Sequence, residues 1–454
     1  MASVLLPFIR SLLFSLLLSC NPYAVHGGAN SHHVLGSDSL KPATACSKPK
    51  GSNRTLLAVT HRHGPCSPIP SKTRPTPGEI LRLDQLRLNY LQQMASSHGS
   101  RDTRVQESQT SLPAKLGTAL GSAEYVVTVG YGTPEQDQTV NFDTGSDISW
   151  IQCQPCPDCY PQQENYFNPP QSSSYASIPC SSPECSLSSE LYCPNPTCMY
   201  NVTYGDNSTT AGYLSRETLT LSPSDAVSGF IFGCGQSNKR LNGTLAGLMG
   251  LGRGNLSLVS QTSQKFGNVF SYCLPPTESS AGYLTFGEPA PSDTISYTPM
   301  HTDPSNPTFY FVNLIAISLG GQQLAIQPSV FSSTTFFLDS GTVITRLPPS
   351  AYQVLRSAFQ SSMMNYTMRG SSGILDTCYD ENVDIKPAPV ALHFEGNVTL
   401  NLDDSGILFD NCLAFAGHEK DSDGGIIGNV QQRTFEVVYD LAAEKIGLQP
   451  NACN

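Results

Sequence analysis

Two short stretches of the chain set an aspartate beside a hydroxyl residue and a glycine: NFDTGSDISW at 141–150 and FFLDSGTVIT at 336–345. Taken singly, Asp-Thr-Gly is ordinary turn punctuation and arises often by chance. Two copies, each directly after a short apolar run, point instead to a duplicated unit. Two carboxylates within reach of one water cannot easily both ionise, so they share a proton. One can then accept a proton from water while the other donates to a carbonyl oxygen, which is general acid–base hydrolysis of an amide with no metal and no covalent intermediate. Asp143 and Asp339 are the candidates for that pair. Gly145 and Gly341 would permit tight turns that present the carboxylates, and the hydroxyls of Thr144 and Ser340 could tie the two turns together.

Competing chemistries have weaker support. There is no GxSxG and no HExxH, and only His301, His393 and His418 fall in residues 124–454, which makes a histidine-based hydrolase unattractive. GLMGLGRG at 247–254 lacks the Lys-Ser/Thr ending and the βαβ setting of a phosphate loop. Cys153, Cys156 and Cys159 have a C-x-x-C spacing that zinc could use, in competition with disulfides. No cofactor and no metal is expected.

The elements that must position the aspartates read as mostly β. The chain has 454 residues, 39% hydrophobic and 13% charged, enough for two packed domains once terminal segments are set aside. Short Val/Ile/Thr/Tyr/Phe runs such as YVVTVGYG, FIFGCG and FEVVYDL are separated by Gly, Pro, Ser and Asn, the pattern of strands and turns. AYQVLRSAFQSSM, after the Pro-Pro-Ser at 348–350, is the clearest helix of the second half.

The N-terminus has the composition of a secretory signal, expected over residues 1–28: Arg10 precedes SLLFSLLLS, an apolar run too short to span a bilayer. A signal anchor is the alternative. No later segment is long enough to cross a membrane. Of fifteen cysteines, Cys20 lies in the signal region and Cys46 and Cys66 follow it. The remaining twelve, Cys153, Cys156, Cys159, Cys180, Cys185, Cys193, Cys198, Cys234, Cys273, Cys378, Cys412 and Cys453, fit six disulfides in an oxidising compartment. Seven of them crowd between 153 and 198, so at least one must pair outside the cluster. Asn-x-Ser/Thr sequons at Asn201, Asn207, Asn242, Asn255, Asn365 and Asn397, with another at Asn53, suit a secreted glycoprotein.

Charge divides the chain. Residues 31–123 carry 12 Lys/Arg against 5 Asp/Glu, net +7, whereas residues 124–454 carry 12 against 31, net −19. The two parts should attract, and acid should weaken the attraction by protonating carboxylates. An inhibitory pro-segment over 29–112 is the expectation; a disordered or nucleic-acid-binding arm is the alternative. EILRLDQLRLNYLQQM at 79–94 argues for the former, because its Ile/Leu spacing makes an amphipathic helix that needs an apolar surface to cover.

Many blocks together resemble the pepsin-family aspartic proteases of the plant nepenthesin-like type, and within it the group of the chloroplast-nucleoid DNA-binding protease and the apoplastic defence-related enzymes. They include VTHRHGPCSP, EYVVTVGYGTP, NFDTGSDISWIQCQPC, YGDNSTTAGYLSRETLTL, AGLMGLGRGNLSLVSQ, FSYCLP, FLDSGTVITRLPPSAY, LDTCYD, CLAFAG and IIGNVQQRTFEVVYD, in order, over essentially everything after about residue 50. The resemblance implies a mostly β, bilobal fold, with an N-terminal lobe at 120–285 carrying the Cys-rich insertion and a C-terminal lobe at 286–454. It implies a monomeric, secreted endopeptidase working in acid on peptide or protein substrates. Asp143 and Asp339 match the catalytic pair, within loops that include Thr144, Gly145, Ser340, Gly341 and Thr342. Tyr204 matches the flap tyrosine and Trp150 its hydrogen-bonding neighbour. Leu248-Met249-Gly250 and Ile426-Ile427-Gly428 match the elements through which each catalytic loop is threaded.

One departure lies in the flap. The usual YGDGS is YGDNS here, with Asn207 opening a sequon. Asn tolerates positive φ, so the turn could survive, and a glycan there would overhang the cleft. A silent relative that binds rather than cuts is the second reading, set against the retention of both aspartates and Tyr204. Nucleic-acid binding would have to lie in the basic N-terminal part, since the acidic remainder repels phosphate.

Overall fold

The computed structural model describes residues 46, 55–69, 74–97 and 124–453, apart from 195, 205–207, 240, 242, 290, 291 and 293. The expected signal sequence and the sequons at Asn53, Asn207 and Asn242 lie outside the described residues, and so does any glycan at the flap. The expected β character holds: strands dominate, with a few short helices between them.

Strands β2 (Tyr125–Tyr131), β3 (Gln136–Asp143) and β4 (Trp150–Gln152) belong to a closed ring. The ring runs β2, β3, Gly247–Gly250, β4, Asp225–Lys239 and Thr209–Ser222, and closes where Gly130 and Tyr131 pair with Thr220 and Leu219. Val127, Val129 and Tyr131 on β2 are buried in one cluster with Val140, Phe142 and Phe232. The odd-numbered positions of β2 share one buried face, as the period of two requires, while Val126 packs in a second cluster.

The second half repeats the pattern around a five-stranded sheet. In the first half, Gly247–Gly250 runs parallel to β3, with Gly250 opposite Asp143, and antiparallel to β4. In the second, Gly425–Ile427 runs parallel to Phe336–Leu338, which leads into Asp339, and antiparallel to Thr345–Leu347. In both halves the strand after the aspartate loop then pairs in parallel with one further strand: β4 with Asp225–Lys239, and Thr345–Leu347 with Phe415–Gly417. The duplication inferred from two tripeptides is therefore a duplication of strand topology.

A continuous sheet links the halves, because Val269–Cys273 pairs on one side with Ala281–Phe286 and on the other with Glu436–Asp440. Strand β1 (Thr55–His61) is inserted into that sheet between Ala281–Phe286 and β2. Its Leu57 and Val59 are buried in the main core.

Helix α1 (Pro77–Ser97) encloses the predicted 79–94 helix. Pro77 occupies its first turn, and Thr76 caps it reciprocally: the Glu79 N–H donates to Thr76 Oγ1 at 3.2 Å, and the Thr76 N–H to Glu79 Oε2 at 2.8 Å. The second predicted helix spans Pro349–Ser362 and buries Ala351, Tyr352, Leu355 and Phe359, one helical face.

All twelve later cysteines pair, as six bridges: Cys153–Cys234, Cys156–Cys159, Cys180–Cys193, Cys185–Cys198, Cys273–Cys453 and Cys378–Cys412. Cys153 is the member of the crowded group that pairs outside it. The three cysteines with zinc spacing are all in disulfides, so none of these three is a free thiolate. A seventh bridge, Cys46–Cys66, was not anticipated. The sequon residues Asn201, Asn255, Asn365 and Asn397 are all exposed. Among the described residues no helix is long and apolar enough to cross a membrane.

Candidate active site

Asp143 ends β3 and Asp339 follows Phe336–Leu338, so the two parallel-strand units bring the aspartates face to face. Both side chains are completely buried. The loops are cross-linked by four bonds with approximate two-fold symmetry. The Thr144 N–H donates to Ser340 Oγ at 3.2 Å and the Ser340 N–H to Thr144 Oγ1 at 3.0 Å. The hydroxyls continue to the opposite strands, Thr144 Oγ1 to Leu338 O at 3.5 Å and Ser340 Oγ to Phe142 O at 3.3 Å.

Each carboxylate is held from its own loop. Gly145 N–H donates to Asp143 Oδ1 at 3.0 Å and Gly341 N–H to Asp339 Oδ1 at 3.3 Å. Thr342 Oγ1 donates to Asp339 Oδ2 at 2.5 Å, and Ser146 Oγ donates to Asp143 Oδ2. Ser146, three residues after its aspartate as Thr342 is after the other, was missed at the sequence level. The glycines also serve differently from expectation. Neither adopts positive φ; rather, a Cβ on Gly145 would lie 2.9 Å from Arg87 Nη2 and 3.0 Å from Asp339 Oδ1, and one on Gly341 would strike the same guanidinium. Glycine keeps clear the space in front of the carboxylates.

A second pair of equivalent hydroxyls supports the loops from behind. Six residues after each aspartate, Ser149 Oγ accepts from Gly250 N–H at 3.0 Å and Thr345 Oγ1 from Gly428 N–H at 2.9 Å. These bonds fasten the hydrophobic-hydrophobic-Gly strands, Leu248-Met249-Gly250 and Ile426-Ile427-Gly428, to the loops they flank. The spacing was present in the sequence, since a Ser or Thr stands at that interval in both copies. In the second half Asn429 Nδ2 adds a bond to Ser340 O at 3.1 Å.

Tyr204 and Trp150 come together: the indole N–H donates to the phenol oxygen at 2.9 Å, with both residues buried. The other flap residues, 205–207, are outside the described set.

The space between the carboxylates is filled by Arg87 of α1, which sequence reasoning did not single out. Its Nη2 donates to Asp143 Oδ1 at 2.6 Å and to Asp339 Oδ1 at 2.7 Å, Nε donates to Asp339 Oδ2 at 2.8 Å, and Nη1 to Asp143 Oδ2 at 3.3 Å. Burial pushes Asp143 up, but the Arg87 charge and its hydrogen bonds outweigh that and hold the carboxyl below its ordinary value. Asp339 goes the other way, raised by burial and by the neighbouring Asp143 charge against the pull of Arg87. Burial opposes the charge on Arg87 as well, yet two carboxylates keep it firmly protonated.

One turn earlier on α1, Asp84 forms a second buried ion pair, with Arg346 Nη2 at 2.8 Å. Tyr90 of α1 lies against Tyr204, ring centres 5.9 Å apart. Leu81 packs with Val343, Ile344 and Leu375, and Leu88 and Leu91 with Phe309, Phe311 and Ile426. Burying each of these leucines contributes about 1.5–3 kcal/mol. The signal for this docking was an Asp and an Arg on the leucine stripe of the helix, at i, i+3, i+6 and i+7 from Leu81, where a solvated helix would carry neither.

Comparisons with known proteins agree with this geometry. Residues 125–288 match a family model described as xylanase inhibitor N-terminal, and residues 309–450 its C-terminal counterpart. The chain is 44% identical to aspartyl protease family protein At5g10770 of Arabidopsis thaliana, covering 99% of each sequence. It is 43% identical to aspartyl protease AED1 of the same plant, over 93% of this chain and 92% of that one. Aspartic proteinase nepenthesin-2 of Nepenthes gracilis is 35% identical over 84% of this chain and 91% of its own. In fold the chain is similar to the basic 7S globulin of soybean, with TM-score 0.58 and 21% identity over 72% of this chain and 90% of that one. With both aspartate loops, their reciprocal hydroxyl bonds and near-complete coverage by such relatives, the chain belongs to the plant aspartyl proteases of the pepsin-like family.

Proposed function

We propose that the protein is a secreted endopeptidase made as an inactive precursor, in which Asp143 and Asp339 together activate water in acid. The observation that carries the reading is the convergence of both carboxylates on the single Nη2 nitrogen of Arg87, at 2.6 and 2.7 Å. A site that grips one nitrogen between two carboxylates has room there for one water. Asp143 and Asp339 share a proton when the cation leaves; one takes a proton from the water as it attacks, the other protonates the carbonyl oxygen. Thr144 and Ser340 keep the loops in register, and Ser146 and Thr342 orient the carboxylates. Tyr204, supported by Trp150, closes over the bound peptide.

The same bonds support α1 as part of the inhibitory segment. While Arg87 neutralises the pair, neither carboxylate is free to take the proton from water, and the leucines of α1 cover the cleft that a substrate would occupy. Disulfides and exposed sequons support passage through the secretory route. The test is to express the full chain in a secretory host, acidify it, and follow N-terminal processing and peptide hydrolysis with and without pepstatin. Pepstatin-sensitive cleavage that appears together with loss of the basic segment is expected. A folded, disulfide-bonded product that stays inert from about pH 2 to 6 after removal of that segment contradicts it. That outcome would favour a binding protein, the reading suggested by the description of the two family models.

A further inference from the structure

Asp84 occupies a built receptor for a carboxylate. The Val343 N–H donates to its Oδ1 at 2.6 Å, the Ile344 N–H to Oδ2 at 3.3 Å, and Arg346 Nη2 to Oδ2 at 2.8 Å. Arg346 is itself aimed by a bond from Nη1 to Ile344 O at 3.0 Å, and both charged side chains are 1% exposed or less. The three donors belong to the segment directly after the Asp339 loop, so they stay in the cleft wall whatever becomes of α1. Asp84 does not: it sits on the helix whose Arg87 plugs the carboxylate pair.

We propose that after α1 leaves, this receptor binds an acidic side chain of the peptide substrate and makes the enzyme select for it. The inference rests on the reading of α1 as a segment removed on activation. Departure of Asp84 leaves a cation and two N–H groups converging on one point, beside the apolar wall of Val343, Ile344 and Leu375. Donors left without partners in such a place favour an anion that meets them all. A neutral amide offers one acceptor where a carboxylate offers two, and it does not answer the guanidinium charge. Three residues of helix separate Asp84 from Arg87, about 4.5 Å along the axis, and an extended peptide advances about 3.3 Å per residue. The acidic residue therefore falls within about two positions of the bond that is cut.

The test uses the acid-activated full chain and a set of peptides that differ only as Glu or Gln at each of the three positions on either side of the scissile bond. At about pH 5, where the glutamate is largely ionised, kcat/KM is expected to favour Glu over Gln by about tenfold at one position only. In Arg346→Gln that ratio is expected to fall to near one, and in Arg346→Lys to be partly kept. Equal rates for Glu and Gln at every position in the wild type, or a preference that survives in Arg346→Gln, overturns the proposal while leaving the peptidase intact. If no peptide is cut at all, the peptidase reading falls first and takes this one with it. Should both Arg346 variants fail to fold, the wild-type scan decides alone.

Discussion

Arg87 and Asp339 meet in a two-pronged contact, Nε to Oδ2 at 2.8 Å and Nη2 to Oδ1 at 2.7 Å, while the same Nη2 reaches across to Asp143. One side chain from a helix some fifty residues before the first aspartate thus satisfies both. Arg87→Met keeps the length and apolar stem of the side chain but removes the charge, and truncating one partner of such a buried network costs about 3–5 kcal/mol. The variant is expected to shed its N-terminal segment at a higher pH than the wild type. An unchanged pH profile of processing, read by N-terminal sequencing, would remove Arg87 from the latch.

The direction of the pH dependence follows from the aspartates. While Arg87 is docked, Asp143 lies below its ordinary value, so its contribution to docking is present above that value and is lost as the pH falls through the depressed one. Once Arg87 leaves, the pair shares a proton, so release takes a proton up and acid promotes it. Asp84 acts oppositely: burial raises it even against Arg346, and its return to water gives up a proton. The acid direction therefore rests on Asp143, which Arg87 holds below its ordinary value; Asp339, raised while Arg87 is docked, does not add to it. Asp84→Asn is expected to raise the pH at which half the protein is processed while keeping the acid direction. Faster processing of the wild type at neutral pH than at pH 4 would contradict the assignment.

Asp339→Asn leaves the volume of the side chain unchanged and its hydroxyl neighbours in place. The variant is expected to fold, and hydrolysis to fall by about 10³-fold, the scale of a lost general acid or base. Comparable activity of the wild type and the variant on a fluorogenic peptide would sink the two-carboxylate mechanism.

Trp150→Phe removes the donor 2.9 Å from the Tyr204 hydroxyl and opens a small void in a fully buried position. A stability loss of about 1–3 kcal/mol is expected from the buried hydrogen bond, with kcat/KM reduced by about tenfold because the tyrosine is no longer held. Thermal unfolding and steady-state kinetics separate the two effects. If Tyr204→Phe lowers stability as much as Trp150→Phe yet spares kcat/KM, the contact is purely structural.

Cys273–Cys453 ties the end of the chain to the strand that links the two halves, across a separation of 180 residues. Its removal by Cys453→Ser is expected to cost about 2–4 kcal/mol. Calorimetry on the purified variant should register a fall of several degrees in Tm. An unchanged Tm would mean that strand pairing alone holds this terminus.

What the sequence by itself determined is what short-range chemistry carries. Asp143 and Asp339 were visible as repeated tripeptides after apolar runs, β character as short Val/Ile/Thr/Tyr/Phe runs between turn residues, the helix at 79–94 by its Ile/Leu spacing and that at 351–363 by its Pro-Pro-Ser start. The even count of later cysteines announced six bridges. Tertiary structure decided what depends on contacts between residues far apart in the chain. Which cysteines pair is set by strand neighbours such as β4 and Asp225–Lys239, which bring Cys153 to Cys234. Ser149 and Thr345 gain a purpose only when the parallel strands Gly247–Gly250 and Gly425–Ile427 lie behind the loops. The roles of Asp84 and Arg87 were hidden most completely, because a charged residue on a leucine stripe has no meaning until its partner is known. Those partners, Arg346, Asp143 and Asp339, lie 262, 56 and 252 residues further along the chain. Folding alone brings them within hydrogen-bond reach.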